Sequence, residues 1–316
     1  MNELKINLGV GLHERARALA EGLVKVDGLE LNVTMSNDDG GLHSAMIDGR
    51  FDACELSLAM STYMCGHDRP FIAIPVFPNR RFRHSFIYVN SQSGIDSPKD
   101  LVGKKVASGG WVNTASVWVR ALLSHNYGVD LTEVCWLVSR PTDPELRRRL
   151  LRVGIVPELA ESETPLVDQL VAGQIDALIV PSVIAPIRNK DFRVRRLFSN
   201  YKEVERQYYL ETGIIPISHV VAIRRELWEN EPSIAEKLLQ AWEQAKRISV
   251  AYTKHPGHSN LLWYGSLKEE EDELFRIDPW TYNLADNRNV LEAFMQFSWE
   301  QGIADEIRPV DDMFAL

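Results

Sequence analysis

From its first residues the chain alternates short β-like apolar runs with segments of helical spacing, and this alternation limits the fold more than any other feature. Lys5 to Val10 reads as a strand, Arg15 to Val24 carries apolar residues at helical spacing, and Leu29 to Met35 reads as a strand again. Parallel neighbours in a sheet need a crossover long enough for a helix, so the pattern predicts an α/β fold with a largely parallel sheet. A helix over Leu42 to Asp48, ended by Gly49, continues it, as do strand-like runs over Phe51 to Ser57, Ile72 to Phe77 and Ser85 to Asn90.

The turn-rich stretch from Ser93 to Val106 restarts the alternation with a one-turn helix and a new strand at Lys105 to Ala107. A helix from Thr114 to Tyr127, stopped by Gly128, comes next. Strands at Val134 to Val138 and Ile175 to Val180 flank a helix over Leu166 to Ala172, and Asp143 to Arg152 reads as a charged surface segment. Ser199 to Arg206 reads as a polar link and Gly213 to Ile223 as a strand-like run. Beyond Pro232 the chain is mostly helical, including Ile234 to Thr253 and Val290 to Gln301. With 316 residues, two cores are favoured over one. The expected organisation is two Rossmann-like lobes around a central cleft, residues 1–90 with 205–316 and its C-terminal helices forming one lobe, residues 91–204 the other. Such a cleft suits a small ligand.

Composition narrows the partners. A formal charge of -9 offers no basic face to displace counterions, which argues against nucleic acid or an anionic membrane surface. The N-terminal MNELKINLGVG has no secretory pattern and no apolar run is long enough to span a bilayer, so a cytoplasmic location is expected. Three cysteines, Cys54, Cys65 and Cys135, fit reduced thiols. Homo-oligomerisation is left open.

Against this acidic background the stretch FPNRRFRHSFIYVN, residues 77–90, sets Arg80, Arg81, Arg83 and His84 before an apolar run. These residues read either as a solvated turn or as an anion clamp, since guanidinium groups hold carboxylates through paired hydrogen bonds. A second cationic patch, His13 with Arg15 and Arg17, follows the first strand, where ligands of open parallel sheets bind; a solvent-facing helix start fits the two arginines equally well. The same rule selects Glu55 and Ser57, and a lone acid in so apolar a run demands a partner. Ser108 to Ser116 joins a strand to a helix through Gly109 and Gly110. There Asn113 or Thr114 caps the helix and its free N–H groups face an anion, while Trp111 either stacks on a ligand or packs in the core. His219 opens an apolar strand, as a structural residue or as a proton donor or base. Ser182 is counted with the substrate-binding candidates. No metal-binding histidine spacing, dinucleotide fingerprint or nucleophile motif stands out.

Taken in order, FDACELSLAMSTYM, IPVFPNRRFRHSFIYVN, NTASVWVRALLSHNYGV, GQIDALIVP and TGIIPISHVVAIRRELWENEPSIAEKLLQAWEQAKR resemble the 4,5-dihydroxyphthalate decarboxylase family, over most of the chain from Gly49 to about Arg247. The resemblance implies a type II periplasmic-binding-protein-like fold and a carboxy-lyase of aromatic catabolism, with an aromatic carboxylate as ligand. Glu55, Arg80, Arg83, His84, Thr114, Arg120 and His219 match recurring family positions. Departures are His13-Glu14-Arg15-Ala16, where the family more usually has Tyr-Asp-Arg-Thr, Trp111 where tyrosine is common and Asn113 where an apolar residue is common. Chemistry of this kind protonates the ring carbon that loses its carboxylate. His84 or His219 is the expected proton donor, Glu55 a proton acceptor or histidine orienter, and Arg80, Arg83 and Arg15 the carboxylate anchors; neither metal nor organic cofactor is required. The competing expectation is a non-enzymatic carboxylate binder on the same fold.

Overall fold

A computed structural model describes residues 3–66, 68–160, 164–275 and 277–315. Its strands, in chain order, are β1 (Leu4–Gly11), β2 (Leu29–Ser36), β3 (Ala53–Ser57), β4 (Phe71–Arg80), β5 (Ile87–Asn90), β6 (Lys105–Ser108), β7 (Cys135–Val138), β8 (Glu158–Leu159), β9 (Ala177–Ile179), β10 (Val194–Arg196) and β11 (Ile217–Arg224). Two compact units result. Unit 1 holds residues 1–80, 217–289 and 309–316; unit 2 holds 81–216 and 290–308.

Unit 1 is built on a five-stranded sheet in the order β2-β1-β3-β11-β4. β1 runs parallel to β2 and β3, while β11 returns from late in the sequence and inserts antiparallel between β3 and β4. Alternation along β1 buries Ile6, Leu8 and Val10. The middle strands β3 and β11 and the edge strand β4 are buried along nearly their whole lengths, so they read as continuous apolar runs and Glu55 is carried into the interior with its neighbours. The helix Ser233–Thr253 lays Ile234, Leu238, Ala241, Trp242, Ala245 and Lys246 on one buried stripe at three- and four-residue spacing.

Unit 2 carries a six-stranded sheet in the order β10-β5-β9-β6-β7-β8, with β5 antiparallel to both its neighbours and the rest parallel. Its central helix, Thr114–His125, is buried over ten consecutive residues, among them Arg120. That guanidinium is tied to Gln301 Oε1 at 2.7 Å and to the Trp111 carbonyl at 2.8 Å, and lies 3.7 Å over the Trp111 ring. Because β5 pairs with β9 and β10, residues 87–90 lie in the sheet of unit 2, and residues 81–86 and 205–216 belong to that unit as well.

Two stretches read from sequence as irregular are helical. Asp143 caps a helix over Pro144–Arg152, accepting from the N–H groups of Glu145 and Leu146, with proline at a first-turn position where no N–H is needed. The polar link forms the start of the helix Tyr201–Thr212, closed by Gly213 in the left-handed conformation at φ 66°. Charge masked both, because each exposes a polar face and buries few residues. Among the described residues no helix is long and apolar enough to cross a membrane.

His84 is packed in unit 2 against Phe198, Tyr208 and Tyr127, with ring centroids 5.1, 5.4 and 6.1 Å away, and neither ring nitrogen has a hydrogen-bond partner among the described residues. Burial lowers its pKa from the ordinary 6.5 to about 4. The unfolded chain therefore binds more protons between those two values, and stability falls as pH drops through them. Replacing His84→Phe removes this penalty: urea unfolding at pH 8 and pH 5 is expected to show the variant gaining stability on the parent at the lower pH, by at most about 2 kcal/mol. An identical pH dependence in both proteins would contradict the buried neutral imidazole.

Candidate active site

The chemistry-bearing side chains of unit 1 gather around Glu55. It sits on β3 with 2% of its surface exposed, and each carboxylate oxygen is taken up by an imidazole: His13 Nε2 at 2.9 Å from Oε2 and His219 Nδ1 at 2.6 Å from Oε1. The Gly11 N–H adds a third bond to Oε2 at 2.8 Å. A Cβ at position 11 would stand 3.1 Å from that oxygen and 3.2 Å from the His13 ring, so the close approach of the β1 terminus favours glycine.

Strand register explains the convergence. β11 sets His219 opposite Ser57, and Ser57 and Glu55, two residues apart, share a face, so the imidazole reaches Glu55 along the diagonal. Irregular pairing with β4 flanks His219 on both sides, as expected where a bulge re-aims a side chain. His13 is the residue before the helix Glu14–Ala20, immediately beyond β1.

Burial is the largest influence on Glu55 and pushes its carboxyl up, but the hydrogen bonds from His13 and His219, with the charges of both rings, outweigh it and hold the group below the usual carboxylate range. Glu55 is thus an anion that only accepts. Both imidazoles donate to it, which fixes the proton of His13 on Nε2 and that of His219 on Nδ1.

Two guanidinium groups stand nearby. Arg15 donates from Nε to the Pro78 carbonyl at 2.7 Å and stacks 3.6 Å over the Trp280 ring. Arg80 is 8% exposed and donates to the Thr281 carbonyl at 2.8 Å. Burial, ahead of its neighbours' charges, lowers the Arg80 pKa to about 10, with Arg15 acting in the same direction. A cavity of about 610 Å³ is lined by Arg15, Lys246 and Trp280 with Val250, Leu261 and Leu267; Glu55 and its imidazoles do not line it.

Other expected residues are placed differently. Arg17 lies on the surface in an ion pair with Glu21 at 2.6 Å. Ser57 caps the helix Leu58–Met64 and its N–H donates to His43 Nε2 at 3.0 Å. Arg83, His84, Trp111, Asn113, Thr114 and Ser182 belong to unit 2. There Arg83 is 3% exposed, and burial, reinforced by Arg81, lowers its pKa to about 9. Trp111 donates from Nε1 to the Gln301 carbonyl at 2.9 Å and stacks under Arg120, which is a packing role. Asn113 caps its helix through Ser116 N–H at 3.2 Å, with Thr114 buried behind it. Ser182 is exposed and its carbonyl accepts from the Tyr88 hydroxyl at 3.0 Å.

Sequence reasoning passed over Trp242, Lys246, Trp280 and Tyr282, which crowd the same part of unit 1. Lys246 Nζ lies 4.6 Å over the Tyr282 ring and donates to the Trp280 carbonyl at 3.0 Å. One signal was present: Leu238, Trp242 and Lys246 follow at four-residue spacing, which puts a cation on an otherwise apolar helix face.

No protein-family model matches the chain. It is 29% identical over 314 residues to a 4,5-dihydroxyphthalate decarboxylase of Comamonas testosteroni, covering 96% of this chain and 94% of the relative. Among solved structures it resembles the alkanesulfonate-binding protein SsuA from Xanthomonas axonopodis pv. citri, with a TM-score of 0.55 and 14% identity over 99% of each chain. That likeness concerns the fold alone, and agrees with a type II periplasmic-binding-protein-like architecture. The 4,5-dihydroxyphthalate decarboxylase of Pseudomonas putida is 34% identical over 186 residues, which make up 57% of this chain and 72% of the relative. On that match the chain belongs to the 4,5-dihydroxyphthalate decarboxylase family.

Proposed function

We propose that this chain is a carboxy-lyase that removes one carboxylate from a hydroxylated aromatic dicarboxylate of the 4,5-dihydroxyphthalate type. The observation that carries the reading is the His13–Glu55–His219 constellation, with the buried Arg80 and with Arg15 in the same unit. The names of both curated relatives support it.

Direct loss of carbon dioxide would leave an unstabilised aryl carbanion. In the proposed path His219, protonated on both ring nitrogens, gives one proton to the ring carbon that bears the departing carboxylate. The ring supplies the electron pair for the new C–H bond, helped by a ring hydroxyl whose proton passes to a neighbouring base. The carbon–carbon bond then breaks, its electrons restore the aromatic ring, carbon dioxide leaves and the hydroxyl regains its proton. One proton is consumed per turnover and is replaced from solvent. Glu55 orients both imidazoles through its two carboxylate oxygens. Arg15 and Arg80 hold the remaining carboxylate.

Between the two expected donors, the reading chooses His219. An imidazole that stays neutral down to about pH 4, enclosed by three aromatic rings, makes a poor proton donor near neutral pH, and His84 is of that kind.

Purified protein incubated with 4,5-dihydroxyphthalate is expected to release one carbon dioxide per substrate consumed, while phthalate, which has no hydroxyl to assist ring protonation, releases none. Tight binding of the dihydroxy acid without turnover would favour the non-enzymatic binder instead. In the same assay His219→Asn should lower kcat about a hundredfold to ten-thousandfold, as removal of a positioned proton donor does. His84→Phe should leave kcat of the same order. The reverse ranking would overturn the choice of donor.

A further inference from the structure

Four buried side-chain polar atoms of unit 1 lack a hydrogen-bond partner among the described residues: His13 Nδ1, Arg80 Nε, Trp242 Nε1 and Tyr282 Oη. All four belong to one neighbourhood. The His13 and Trp242 rings are 6.2 Å apart, Trp242 meets Tyr282 edge-on at 6.4 Å, and Arg80 is held by the carbonyl of Thr281, the residue before Tyr282. Each unmet buried group costs on the order of 1–3 kcal/mol, so the gathering of these four in one part of unit 1 marks a place built to receive hydrogen bonds from elsewhere.

The atoms specify what they would receive. Arg80 Nε and Trp242 Nε1 only donate, Tyr282 Oη donates and accepts, and His13, whose Nε2 faces Glu55, presents Nδ1. An arginine donor suits a carboxylate. Trp242 Nε1, a neutral donor, and Tyr282 Oη, which works both ways, suit a phenolic hydroxyl, which itself both accepts and donates. Burial, the leading influence, raises the Tyr282 pKa, so its phenol keeps its proton at neutral pH and is able to donate. Lys246 beneath the ring helps to hold it in place.

We propose that Tyr282 Oη and Trp242 Nε1 bind the ring hydroxyls of the aromatic dicarboxylate and so determine the preference for hydroxylated over unhydroxylated acids. The inference rests on the decarboxylase reading for the ligand class, yet it can be read from binding alone.

The test compares the parent protein with Tyr282→Phe and Trp242→Phe, each of which keeps an aromatic ring and removes one polar atom. Calorimetric affinities for phthalate and 4,5-dihydroxyphthalate are measured with kcat/KM for the latter, and thermal melting confirms the fold. The parent should prefer the dihydroxy acid, and Tyr282→Phe should erase about tenfold to a hundredfold of that preference with phthalate affinity of the same order, in keeping with the loss of one specific hydrogen bond. Trp242→Phe should act in the same direction and gives the result if Tyr282→Phe does not fold. Preference unchanged in both folded variants, or both acids weakened alike, overturns the proposal. If the parent binds with the expected preference and never releases carbon dioxide, the decarboxylase reading fails and this inference stands; turnover with an unaltered preference in the variants has the opposite meaning.

Discussion

A carboxylate without hydrogen bonds cannot remain ionised inside an apolar strand, and the arrangement of unit 1 follows from how Glu55 meets that requirement. Three donors surround it, the Gly11 N–H and one nitrogen from each of His13 and His219, drawn from two strands and a strand-to-helix turn that are far apart in sequence. Removing any one partner exposes part of the desolvation cost of the anion, so β1, β3 and β11 are constrained together by a single side chain. The same constraint gives the imidazoles defined tautomers.

Much of this was legible in the sequence. Glu55 drew attention as the lone acid in an apolar run, and His13 and Arg15 followed from the rule that ligands sit beyond the ends of parallel strands. What the sequence could not supply was register. His219 meets Glu55 because β11 inserts antiparallel between β3 and β4, a long-range pairing that no local period encodes. Tyr282 and Trp242 were invisible for a related reason. They come from the C-terminal helical region, where an aromatic residue on a buried face ordinarily means packing.

The stretch FPNRRFRH is divided between the two units. Its basic residues look like one clamp, yet Arg80 ends β4 in unit 1, Arg81 is exposed, and Arg83 and His84 are buried in unit 2. The chain passes from one unit to the other in the middle of the motif. Alternation placed the strand start at Ser85, whereas a short 3-10 turn over His84–Phe86 precedes β5 and directs His84 among aromatic rings. His84 and His219, indistinguishable as lone histidines beside strands, differ in environment: one has aromatic edges for neighbours, the other a carboxylate.

The central claim, that one ionised Glu55 holds two imidazoles in opposite tautomers, is tested most directly by nitrogen-15 NMR of protein labelled in its histidine rings. At neutral pH the account predicts that the proton facing Glu55 resides on Nε2 of His13 and on Nδ1 of His219, and that Glu55→Gln disturbs both resonances together. Either ring found with that nitrogen unprotonated, or insensitive to the change at Glu55, would contradict it.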